Sequence, residues 1–295
     1  MFRRRLQDLL STSLMRFALG LANLLVLLIV VGLLIKSWPI LSTKTLAELL
    51  LQTTWQPLKG SFGFLAFIVG TLEVTAIAML LAVPICLLTA IYLSEYAPHR
   101  LARIVRPVID LLAGIPSVIF GFWGVLVIVP MVRAMAQALG VRSTGYSLLA
   151  GGIVLAIMVF PVIISVAVEV LQGIPTEARE AALALGATRW ETVKHVLLRS
   201  GLRGILAAVV LGLTRALGET MAVLMVVGNV VKIPVSIFDP AYPLPALIAN
   251  NYGEMMSIPL YDSALLLAAL ILLVVVAGFN LVARLTLRHI ERGWR

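Results

Sequence analysis

The chain has 295 residues, 61% of them hydrophobic and 13% charged, with a mean hydropathy of +1.07. Soluble domains carry about 25% charged residues, so a soluble globular protein is excluded and the apolar surplus is lipid-facing surface. Lys and Arg total 23 against 14 acids, a net charge of +9 that is tested as a topology signal before it is read as a nucleic-acid signal.

A bilayer core takes about 20 consecutive apolar residues in a helix. The first candidate is the uncharged run from Phe17 to Ile35. A basic cluster ahead of such a run also suits a secretory signal, but LLIKSWPI after it has no small-x-small cleavage site, so a retained helix is expected. Further charge-free stretches lie between Glu73 and Glu95, with the apolar pattern starting near Phe62, between Asp110 and Arg133, and between Arg142 and Glu169. Gly204 to Val231 is long enough to cross but carries Arg215 and Glu219 near its middle, and Asp262 to Arg284 encloses the last run. The expected fold is therefore an all-α integral membrane protein with six transmembrane helices. Cys86, the one cysteine, excludes an internal disulfide or multi-thiolate metal site, and its apolar surroundings predict a small buried hydrophobe.

With six spans both termini share a side. That side holds sixteen basic residues, from Arg3, Arg4 and Arg5 through Arg100, Arg103 and Arg106 and the 179–203 group to Arg295, and the other side holds six. The positive-inside rule places the termini and the even-numbered loops in the cytoplasm. Topology thus accounts for the basic pI and no nucleic-acid partner is expected.

No lysine sits in a Gly-Lys-Ser/Thr phosphate loop. His99, His195 and His289 are far apart, with no partner at metal-ligand spacing. No nucleophile has an evident base. The expectation is a non-enzymatic chain without cofactor or metal, whose energy comes from a partner or a gradient.

The fourth loop, residues 172–203, is long for a connector and is patterned as structure. Pro175 suits a helix start, Thr176 can cap it, and Glu177 and Glu180 occupy the dipole-favoured first turns. Ala181 to Leu185 has high helix propensity, and Gly186 suits the left-handed position ending a helix. Thr188-Arg189-Trp190-Glu191 is a capping box opening a second helix. Two short amphipathic helices joined at a glycine form a cytoplasmic knob. On physics alone this is either a surface hairpin or a docking handle.

Within AGIPSVIFG, Gly114, Pro116 and Gly121 interrupt the third span. Such breaks line a cavity or make a packing kink. Arg215 falls near the bilayer centre, where a charge is costly and faces a cavity or partner. Glu219, at i+4, shares its face on a continuous helix. The pair either neutralises itself for helix packing or lends an anion pathway a positive group that Glu219 restrains. Five prolines between Lys232 and Tyr261 oppose a further span, though PALIANNYGEMM can form a short helix.

Glu180-Ala181-Ala182, three residues, Gly186, nine residues and then Val196-Leu197-Leu198 resembles the EAA loop of ABC importer permeases, with Arg199 where that pattern has proline. PLKGSFGFLAFIVGTL, AIYLSEYAP, RPVIDLLAGIPSVIFGFWG and GLTRALGETMAVLMVVGN extend the resemblance, over about residues 55–285, to phosphate ABC importer permeases of the PstC type. The resemblance implies a type I ABC importer permease fold: one transmembrane domain over 1–295, a permease core over 62–285 and a coupling loop over 172–203. It implies that the segment with Glu180, Ala181, Ala182, Gly186, Arg189 and Trp190 docks on an ATP-hydrolysing subunit. Arg215 and Glu219 would serve phosphate passage. The partners implied are a PstA-type sister permease, two PstB-type ATP-binding subunits, a PstS-type extracytoplasmic phosphate-binding protein and membrane lipid, in a bacterial cytoplasmic (inner) membrane. Rival readings are a permease for sulfate, molybdate or phosphonate, a gradient-driven carrier or channel, and a non-transporting assembly protein.

Overall fold

The computed structural model describes residues 2–253, 258 and 260–292, with side chains over 10–253, 258 and 260–286. Among these residues six helical segments are long and apolar enough to cross a membrane: Leu10–Thr43, Leu65–Tyr96, Ser117–Ala138, Leu148–Gln172, Arg189–Gly218 and Tyr261–Thr286. The terminal arginines Arg3, Arg4, Arg5, Arg288, Arg292 and Arg295 and the side chain of His289 lie outside the described side chains, as does the end of PALIANNYGEMM.

Helix α1 (Phe2–Thr43) runs on well past the charge-free stretch, carrying Pro39 within it. Helix α2 (Leu46–Leu51) comes next, then a hairpin of β1 (Trp55–Gln56) and β2 (Ser61–Phe62) in the register Trp55↔Phe62. Trp55 meets Phe62, Phe64, Phe67 and Tyr261 at ring-centroid distances of 5.2–6.3 Å. This aromatic cluster suits a membrane–water interface.

The second and fourth spans form the centre. Helix α3 (Leu65–Ile91) buries Val74, Ala78, Ala82, Cys86 and Ala90, one residue per turn, against helix α7 (Leu148–Gln172). Small residues permit such close approach where lipid supplies no hydrophobic drive. Cys86 is buried with its Sγ 3.9 Å from Phe160 O, as its apolar setting predicts.

Helix α4 (His99–Ala113) precedes the third span as a separate element. Leu101, Ile104, Val108 and Leu111 form an exposed apolar stripe on it, opposite His99, Arg103, Arg106 and Asp110. The chain turns at Gly114–Pro116, and the span continues as α5 (Ser117–Trp123), a π-helical turn and α6 (Val129–Ala138). Pro116 therefore caps the start of the span instead of interrupting it. A proline is tolerated there because its missing amide would have been an orphan.

Helix α7 is capped by Ser147, whose Oγ accepts from Ala150 N at 3.3 Å. The loop of residues 229–243 finishes the job: Leu148 N donates to Asp239 O and Leu149 N to Ile237 O, both at 2.9 Å. The expected short helix in the proline-rich loop is α12 (Leu244–Asn251), tied to α3 by Leu244 N donating to Thr71 Oγ1 at 2.9 Å. Helix α13 (Tyr261–Arg292) closes the chain.

Candidate functional site

After α7 the chain enters α8 (Thr176–Ala184), the first helix of the predicted knob. Its N-cap is Pro175 and makes no side-chain cap bond, so Thr176 is a helical residue and not the cap. The helix ends as its sequence predicts. Gly186 takes φ +84°, Gly186 N donates to Leu183 O at 3.0 Å, and Ala187 N donates to Ala182 O at 3.1 Å. These two bonds make a Schellman motif.

The capping box is also formed. Glu191 N donates to Thr188 Oγ1 at 3.3 Å, and Thr188 N donates to Glu191 Oε2 at 2.8 Å. The helix that this box opens is not the second short helix expected from the sequence. Helix α9 (Arg189–Thr192) passes through a π-helical turn (Val193–Leu197) directly into α10 (Leu198–Gly218). The knob is one helix attached to the foot of the fifth span. Gly201 and Gly204 lie within α10. They let α10 lie against Val170 of α7, where a Cβ on Gly204 would overlap the Val170 side chain.

Glu180, Ala181, Gly186, Arg189 and Trp190 are exposed, with Ala182 half-buried. Leu183, Leu185 and Trp190 are 46%, 89% and 51% exposed, an apolar patch with no described residue covering it.

Two residues that sequence patterning missed fix this segment. Arg179, on α8, reaches Glu95 in the π-helical turn (Tyr92–Tyr96) that ends the second span. Nη2 lies 3.0 Å from Glu95 Oε1 and also donates to Leu171 O at 2.6 Å, and Nη1 donates to Ile174 O at 2.7 Å. The local signals, an arginine before EAA and a glutamate in YLSEY, are 84 residues apart in sequence and do not point to each other.

The second part of the site is at the other end of α10. Gly212 faces Ile163 near the middle of α7, where a Cβ would come within 2.6 Å of Ile163 Cγ1, so the next turn of α10 lies at mid-span. Thr214 Oγ1 is 3.3 Å from Asn280 Oδ1 and joins this turn to α13. Arg215, in the last turn, is exposed and makes no ion pair with any described residue. The helix stops at Gly218 and Glu219 is extended (φ −71°, ψ 127°). A second short helix, α11 (Met221–Val226), then rises to the start of α7, where Ser147 N donates to Val226 O at 3.2 Å. The fifth crossing is discontinuous, and the expected continuous helix with Arg215 and Glu219 one turn apart is not formed. Irregular backbone at this depth is tolerated where it is buried in protein or lines a water-filled cavity.

Gly121 lies against this second half: a Cβ there would sit 2.7 Å from Met225 Sδ and 3.0 Å from Ala222 Cα. It is a helix-contact glycine. Gly114 and Pro116 are exposed on the single chain.

The family described as binding-protein-dependent transport system inner membrane component matches residues 82–295. The phosphate transport system permease protein PstC of Xylella fastidiosa (strain 9a5c) is 40% identical over 256 residues, covering 82% of this chain and 78% of that protein. The Haemophilus influenzae protein of the same name is 36% identical, covering 94% and 91%. The probable ABC transporter permease protein YqgH of Bacillus subtilis is 39% identical, covering 80% and 76%. Among solved structures, a bacterial alginate ABC transporter chain aligns with TM-score 0.65 at 18% identity over 94% of each chain, and the inward-facing MetNI methionine transporter with TM-score 0.58 at 23% identity over 75% and 93%. These two share the fold of a type I ABC importer permease with this chain. The chain belongs to the family of binding-protein-dependent transport system inner membrane components, multi-pass permease subunits of ABC importers, and to its PstC-type members.

Proposed function

We propose that this chain is one of two permease subunits of an ATP-driven importer of inorganic phosphate. It forms half of the pathway with a PstA-type sister, above two PstB-type ATPases and beneath a PstS-type binding protein, with both termini cytoplasmic. Phosphate as cargo is supported by the names of the relatives, 36–40% identical over most of the chain. The observation that carries the pathway is Arg215, exposed and unpaired among the described residues, at a mid-span helix break. A cation in that position stabilises an anion stripped of water.

The coupling loop, 172–203, supports the motor side of the reading. ATP-driven closure of the ATPases displaces the patch of Leu183, Leu185 and Trp190, with Glu180, Ala181, Ala182, Gly186 and Arg189 around it. Because Arg189–Gly218 is a single helical segment, that displacement is carried by the fifth span to Arg215. Gly114 and Pro116, which turn the chain ahead of the third span, are proposed to face the pathway or the sister subunit.

The test is uptake into proteoliposomes holding the complete complex. Wild type is expected to accumulate phosphate only with ATP, and sulfate, molybdate or phosphonate is expected not to compete. Arg215→Ala is expected to assemble normally and to lose uptake. Wild-type transport rates in that variant would remove the pathway role, and uptake without ATP would establish the gradient-driven rival.

A further inference from the structure

We infer that Arg179 is a positioning residue that yokes the second and fourth spans to α8, so that one displacement of α8 moves both of them along with the fifth span. The inference rests on the proposed function and extends it to a named mechanical connection.

The geometry is specific. Arg179 Nε lies 3.2 and 3.3 Å from the two oxygens of Glu95, and Nη2 lies 3.0 Å from Oε1. The remaining donors take Ile174 O at 2.7 Å and Leu171 O at 2.6 Å, the carbonyls at the end of α7. One guanidinium, a rigid fork of five donors, thus spans three elements: its own helix, the end of the second span and the end of the fourth. The carbonyl end of α7 favours a cation there.

Burial separates this pair from an ordinary surface ion pair. The side chains of Arg179 and Glu95 are 19% and 15% exposed, against 54% and 28% for Lys232 and Asp239. Glu95 sits in a π-helical turn, a local departure from α geometry that commonly marks a functional position. Ala178, next to Arg179, packs into the same core as Ala97, just beyond that turn. On the other flank of the turn is a cavity of about 580 Å³ lined by Ser94, His99, Arg103 and Arg106. The pair is packed on the α7 side, and the cavity beside the turn separates it from part of α4, whose Ile109 remains in the same core as α7.

The chain itself joins α8 to the fourth span through residues 173–175 and to the fifth through residues 185–188. The second span has no such connection. Among the described residues its ion pair to α8 runs through Arg179, which also pins the residues joining α8 to the fourth span.

The experiment compares phosphate imported per ATP hydrolysed by the complete complex in proteoliposomes. For Arg179→Ala we expect normal recovery of the ATPase subunits, ATP hydrolysis near wild type, and about tenfold less phosphate per ATP, the size of an ordinary coupling energy. Glu95→Gln, which keeps the volume, is expected to lower the ratio in the same direction. The exchange Glu95→Arg with Arg179→Glu is expected to restore part of it. A wild-type ratio in either single variant, or a parallel fall of uptake and hydrolysis, overturns the yoke. If Arg179→Ala does not assemble, Glu95→Gln alone decides by the same ratio.

Failure of the wild-type complex to import phosphate would remove the function reading and not the yoke. The yoke is then read from spin labels at Ala184 and His99, both exposed, with buried Cys86 left unlabelled. ATP should change their separation in the wild type by one amount and in Arg179→Ala by another. Identical changes overturn it.

Discussion

The carboxylate of Glu219 accepts a hydrogen bond from the amide of Ala222 at 3.3 Å, so it serves the helix beyond the break and not Arg215 behind it. That amide belongs to the first turn of α11 and would otherwise lack a partner. Glu219→Gln keeps an oxygen for the bond and removes the charge, whereas Glu219→Ala removes both and costs about 1 kcal/mol of local stability. The expected result is wild-type assembly and thermal stability for Glu219→Gln with reduced uptake, and lower values of all three for Glu219→Ala. If Glu219→Gln transports at the wild-type rate, the carboxylate is a helix cap and nothing more.

This break was not legible in the sequence for a plain reason. Gly218 is the one breaker residue near it, and glycine inside a membrane helix is common. Counting charge-free residues located the other spans because their charges lie at the ends. In the fifth crossing the charges lie inside, so the count missed that the helix starts at Arg189, fifteen residues before Gly204. By contrast, the Gly186 turn and the Thr188–Glu191 box were readable, since each is chemistry between residues three to five apart. Arg179 and Glu95 meet only once the second and fourth spans are assembled.

The contact between α7 and α10 depends on glycine at 204. Any side chain there overlaps Val170, and packed helices relax only in part, so an added methyl group costs about 1–3 kcal/mol. Gly204→Val is expected to lower the thermal midpoint of the detergent-purified complex and its yield. Adding Val170→Ala should recover most of the loss. If the second change recovers nothing, the contact is not what limits stability.

Asp239 holds the loop that caps α7. Its Oδ2 accepts from Val235 N at 3.0 Å and Ser236 N at 3.2 Å, with Lys232 Nζ at 3.6 Å. The Val235 amide bond is the main reason its carboxyl is held below the usual range, with the Ser236 amide and the Lys232 charge adding to it against partial burial. A lowered folded pKa means this stabilisation is fully present above about pH 4, the ordinary carboxyl value, and is lost as pH falls through the lower folded value. Protease cleavage of residues 229–243 in intact membranes should rise below about pH 4 in the wild type. Asp239→Asn should be cleaved more readily at neutral pH and show no such rise. A flat wild-type profile would mean the loop is held by its backbone bonds alone.

Gly186 offers the cleanest probe of the proposed coupling loop, because a Cβ there meets no atom within 4 Å while its φ of +84° is unfavourable for other residues. Any effect of substitution is therefore backbone strain rather than collision. Asn tolerates the left-handed region and a β-branched residue does not, with a difference of about 1–2 kcal/mol. That strain falls on the Schellman bonds to Ala182 and Leu183 and tilts the exposed Leu183–Leu185 edge away from Trp190. Gly186→Asn should keep most ATP-driven uptake and hold the ATPase subunits through purification. Gly186→Val should release them more readily and lose uptake in step, while the isolated chain keeps its thermal midpoint because α7 and α10 are untouched. Equal uptake in the two variants would mean that the shape of this turn is irrelevant to the motor.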